Sequence, residues 1–68
     1  MNTNERLNDL IGRRLEVKLV NRTLTGILSK IYCGYNSQLG NLYRWVITTR
    51  NGFPFSFAGC EVREITVK

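Results

Sequence analysis

Apolar and polar residues alternate over 15–19, with Leu15, Val17 and Leu19 on one side and Glu16 and Lys18 on the other. That two-residue period predicts a strand with one buried face. Ahead of it, Leu7, Leu10 and Ile11 recur at i, i+3 and i+4, which predicts a short helix capped by Asn4 and ended by a left-handed Gly12. So short a helix does not hold alone in water, so its stripe is expected to cover an apolar opening of the sheet. Asn21-Arg22 makes a tight connection to a second strand over 23–32, where Gly26 predicts a kink or a close approach of another backbone. Gly34, Asn36, Ser37, Gly40 and Asn41 predict a loop over 33–41, and the β-formers of 42–49 a third strand. Asn51-Gly52 predicts a type I′ turn and therefore a tight hairpin into a fourth strand over 53–57. Phe53, Phe55 and Phe57 share one face of that strand, and Pro54, which has no amide donor, marks it as an edge. A brief turn over 58–61 leads to a last strand over 62–67, with Ile65 and Val67 on one face.

Five short strands behind one helix predict an all-β domain over residues 1–68, a small, strongly bent SH3-like barrel. An OB-like barrel is the alternative, but it carries a helix between strands three and four, where this chain has only Asn51-Gly52. A chain of 68 residues hides only about 60% of the surface that its unfolded form exposes, so a lone core is marginal. Disulfides, metals or self-association supply the remainder in small proteins. With no His and two distant cysteines, Cys33 and Cys60, no metal site is expected. Both cysteines sit in strand-like surroundings and are read as buried thiols of an intracellular protein, with a single disulfide left open. Self-association is then the expected source of extra stability.

Net charge of +5 suits a polyanion such as nucleic acid, although it serves solubility equally well. The ten basic residues are spread along the chain, with no run longer than Arg13-Arg14. No apolar stretch approaches the roughly 18 residues of a membrane span, and the polar start lacks the apolar centre of a signal peptide. A cytoplasmic protein without membrane contact is expected. Catalysis is not expected either: there is no His to act as a base, and the acids Glu5, Asp9, Glu16, Glu61 and Glu64 form no convincing pair. Nothing activates Cys33 or Cys60 as a nucleophile, and no glycine-rich phosphate loop is present. No cofactor and no small-molecule substrate follow from this composition.

Two stretches carry a resemblance. Leu15, Val17 and Leu19 lead into Asn21-Arg22-Thr23-Leu24-Thr25-Gly26-Ile27-Leu28, and Phe57-Ala58-Gly59-Cys60-Glu61-Val62-Arg63-Glu64-Ile65 lies near the end. In this order, behind a helix, they resemble the two motifs of the Sm-like family of Sm, Lsm and Hfq proteins, with Ala58 where the second motif has arginine. The resemblance implies a homo-oligomeric ring in which strand four of one subunit pairs with strand five of the next. It places Phe53, Phe55 and Phe57 against Val62, Ile65 and Val67 at the subunit interface. It also implies single-stranded RNA at the pore, with Tyr35, Asn36 and Gly59 as the matching positions. Tyr32 stands where the family has an acid and Gly34 where it has its usual stacking residue. Lys18, Lys30, Arg44 and Arg63 are candidate phosphate contacts. The competing reading is a protein-interaction or assembly module in which the barrel edges, with Trp45 or Tyr43, bind a peptide or another subunit.

Overall fold

A computed structural model describes residues 3–68. Helix α1 spans Thr3–Asp9 and is followed by strands β1 (Arg14–Leu19), β2 (Thr23–Asn36), β3 (Gly40–Thr48), β4 (Pro54–Phe57) and β5 (Val62–Val67). A 3-10 turn, Gly59–Glu61, joins the last two strands. All pairings are antiparallel, in the order β4-β3-β2-β1-β5. The result is one open sheet whose outer strands, β4 and β5, do not pair with each other. No helix among the described residues is long and apolar enough to cross a membrane.

Gly26 sets the shape of this sheet. β2 pairs with β1 from Thr23 to Ile27 and with β3 from Ile27 to Asn36, so it exchanges neighbours at one residue. There the end of β3 crosses so close that a methyl group on Gly26 would overlap the Thr48 carbonyl and crowd the Ile47 side chain. Of the two expectations for this glycine, the close approach is met directly.

The core lies on one face of the sheet. Leu15, Val17 and Leu19 of β1 meet Leu24 and Leu28 of β2, Ile47 of β3, Phe57 of β4 and Ile65 of β5, and Leu7 of α1 closes the cluster. Gly12 takes the left-handed φ expected at the end of the helical segment, +86°, but its N–H donates not to α1, which stops at Asp9, but to the Leu28 carbonyl of β2 at 2.8 Å. The stripe is narrower than predicted, because Leu10 packs on the core whereas Ile11 stays exposed. Asn4 lies within the first turn of α1 and does not cap it; its Oδ1 accepts the indole N–H of Trp45 at 3.2 Å. Long-range packing has taken the side chain that local chemistry assigned to the helix end.

Three further expectations are corrected. The segment 33–41 is not a loop: β2 and β3 continue through it as a hairpin whose turn is 37–39, with a bulge at Cys33 between the pairs Tyr32–Tyr43 and Gly34–Leu42. Gly34 and Gly40, at φ +147° and +80°, serve the bulge and the turn end and do not mark a break in the ladder. The connection at Asn51-Gly52 is not type I′, since no residue other than glycine has positive φ. Gly52 N–H closes a turn on the Thr49 carbonyl at 2.9 Å, Thr49 N–H bonds the Phe53 carbonyl at 3.0 Å, and Gly52 alone takes positive φ at +85°, the pattern of a three-residue hairpin loop. Lastly, Cys33 and Cys60 are both exposed free thiols, the first on the bulge and the second in the 3-10 turn.

Both outer strands carry edge protection. The Thr49–Phe53 bond fixes the phase of β4, so Phe53, Phe55 and Phe57 direct their backbone groups at β3, and Pro54 and Ser56 direct theirs outward. Pro54 has no N–H to leave unpaired, and the Ser56 carbonyl accepts a bond from the Arg22 guanidinium at 2.9 Å. On the other side β5 is bulged, with Arg63 left out of register between the pairs Lys18–Glu64 and Leu19–Val62. Two outcomes test this description. Gly26→Ala should lower stability by about 1–3 kcal/mol or more through overpacking against backbone, read as a fall in the urea midpoint. In native buffer, both thiols should react with a chromogenic disulfide reagent without added denaturant.

Candidate nucleic-acid interface

The inward-facing residues of β2 and β3 change character along the strands. Leu28 and Ile47 are buried opposite each other; next come Lys30 and Trp45, then Tyr32 and Tyr43, and finally Tyr35 and Asn41. Asn41, Tyr43 and Trp45 alternate along β3 and therefore share a face, so their partners Tyr35, Tyr32 and Lys30 share it too. Tyr32 and Tyr35 are three apart in sequence, and spacing alone would put them on opposite faces. The extra residue at Cys33 restores them to one. As the face leaves the cover of α1 its exposure rises from 8% at Trp45 to 49% at Tyr43, 57% at Tyr32 and 70% at Tyr35.

Where this face meets the helix there is a cleft of about 710 Å³, bordered by α1, β3 and the corner between β4 and β5. Lys30 is its organising cation. Its Nζ lies 4.6 Å from the centre of the Tyr43 ring and 5.3 Å from that of Trp45, and donates to the Asn8 Oδ1 at 3.4 Å. Two aromatic faces thus accommodate an ammonium at a position that the alternation of β2 assigns to the core side. Tyr32 meets Tyr43 edge to face, with ring centres 5.8 Å apart. Arg44 borders the cleft through its place on β3, but the alternation that puts Tyr43 and Trp45 on this face puts the Arg44 side chain on the other. Glu5 and Glu61 also border it, and the Glu61 carboxylate accepts the Ala58 N–H at 3.2 Å.

Charge along the chain is segregated in a way that strengthens this region. All five acids lie at or before Glu16 or at or after Glu61, so β2, β3, β4 and their connections contain none. The whole aromatic arm is thus free of carboxylates on its own strands.

The sequence-predicted site residues are only partly gathered. Tyr35 stands on the exposed arm. Next to it Asn36 is engaged in the turn, its Oδ1 accepting the N–H groups of Gln38 at 2.8 Å and Leu39 at 3.1 Å. Gly59 is elsewhere, lining the cleft, where a side chain would displace that of Asn4. Of the proposed phosphate contacts, Lys30 stands in the cleft and Arg44 on the opposite face of β3, whereas Lys18 pairs loosely with Glu64 at 3.9 Å and Arg63 bonds the Cys60 carbonyl at 3.3 Å. Among the interface residues, Phe57 and Ile65 are buried in the subunit's own core and Val62 packs against it, leaving Phe53, Phe55 and Val67 exposed.

Sequence reasoning did not reach the grouping of Lys30, Tyr43 and Trp45 with α1. One signal was present: Leu24, Gly26, Leu28 and Lys30 follow a single alternation, so a lysine occupies a core-side position. Neither a protein-family model, nor a curated protein, nor a solved structure matches this chain.

Proposed function

We propose that this chain is a ring-forming Sm-like protein that binds single-stranded RNA without catalysing a reaction. The observation that carries the reading is the open sheet: β4 and β5 each keep an outer edge, bordered by exposed Phe53 and Phe55 on one side and Val67 on the other. Pairing β4 of one copy with β5 of the next closes every sheet through its neighbours and covers these apolar side chains. It also supplies the burial that a chain of 68 residues lacks by itself. The element order, a helix followed by five antiparallel strands in one sheet, supports the same reading. RNA is the polyanion that suits a +5 chain whose exposed aromatics lie among strands without acids, and repeated sites around a ring raise avidity.

The rival, an assembly module with no RNA role, draws support from Ala58 in place of an arginine and from the Asn36 oxygen being spent within its turn. Two measurements separate them. Light scattering at micromolar concentration should give a mass several times 7.9 kDa. A folded single subunit would refute the ring. Phe55→Asp should reduce the assembly to single subunits, since a carboxylate at an apolar contact goes uncompensated. Labelled oligouridine and oligoadenine titrated at several salt concentrations should bind with affinity that falls as salt rises. Absence of binding at low salt would leave the assembly module.

A further inference from the structure

The β2–β3 arm extends the core-side face beyond the part that α1 covers, and it is the most exposed aromatic surface among the described residues. We propose that single-stranded RNA runs along this arm, with bases stacked on Tyr35, Tyr32 and Tyr43 and the backbone passing Lys30. The inference rests on the RNA reading above and adds to it a binding surface on the subunit itself, apart from the centre of a ring.

Three features of the arm point to a stacked strand and not to a protein partner. Its rings lie together on one face: Tyr32 and Tyr43 pair across the strands, edge to face with centres 5.8 Å apart, and Tyr35 follows on β2 with 70% of its surface open to a base. Charge is complementary as well: the arm contains no carboxylate, and Lys30 stands over the Tyr43 ring. Glu5 and Glu61 border the cleft from α1 and the 3-10 turn and not from the arm. Finally, the arm is built rigidly. It is laddered through to Asn36–Gly40, and the Asn36 side chain ties the turn, so Tyr35 is presented from a strand and not from a loose loop. An aromatic sheet surface of this kind takes two or three bases with little sequence preference, because every base offers a π-face.

The test uses the full chain and fluorescence anisotropy of labelled oligouridine and oligoadenine, with circular dichroism and light scattering on each variant. Tyr35→Ala and Tyr32→Ala should each weaken binding about 5- to 150-fold, leaving the slope of affinity against salt unchanged. Tyr35→Phe should retain binding, since stacking needs the ring and not the hydroxyl. Lys30→Gln should instead flatten the salt slope by about one contact. Wild-type binding that both tyrosine-to-alanine variants retain in full would overturn the arm as the contact while leaving the RNA reading intact. If the wild type binds no oligonucleotide at low salt, both fall together. Loss of assembly mass in Tyr35→Ala would mark the face as a contact between copies, which also overturns the proposal.

Discussion

The close crossing of β2 by the end of β3 is the constraint on which the remaining structure depends. At Gly26 the Thr48 carbonyl occupies the space that any side chain would need, and it is there that β2 leaves β1 and takes up β3. A chain with so few residues has no second sheet to pack against. It builds its core on one face of a single sheet, which requires a strand long enough to serve two neighbours and a residue that permits the close crossing. Leu15, Leu28 and Ile47 are fully buried next to this crossing, so the core and the bend form together.

Because β2 is long, it overshoots. Its first half builds the core with β1, and its second half projects with β3 into an arm whose inner face is no longer covered by the helix. The transition from aliphatic to aromatic side chains along this face follows the transition from burial to exposure. Leu28 needs a dry environment, whereas the indole of Trp45 reaches Asn4 and the tyrosines keep a polar end in water. Lys30 sits at the boundary, its stem along the sheet and its ammonium over two rings. The helix is fastened to the same boundary by side-chain bonds from Asn4 and Asn8 and to β5 by a bond from Arg6 to the Ile65 carbonyl at 3.3 Å. The cleft and the helix are therefore joined along this boundary.

The two outer strands show a balance between closure and restraint. Pro54 and the Arg22 bond to Ser56 blunt β4, and the bulge at Arg63 interrupts β5. Such devices keep a free edge from pairing at random. Phe53, Phe55 and Val67 lie exposed on or beside these strands, while Phe57 and Ile65, which the family resemblance implies for the interface, are committed to the interior.

Much of this architecture was legible in the chain. The alternation of Leu15, Val17 and Leu19, the proline of an edge strand, the left-handed glycine after α1 and the glycine where backbones meet are all dictated by covalent geometry, which acts within a few residues. What lay beyond sequence depended on distant neighbours. The residues that look like a loop are held in a hairpin because each strand finds a partner across the turn, and the bulge at Cys33 then reverses the face on which Tyr35 falls. Asn4 turns to Trp45, 41 residues away, in place of capping its own helix. Both cysteines lie exposed because burial is set by what packs over a face, and alternation only says that the face exists.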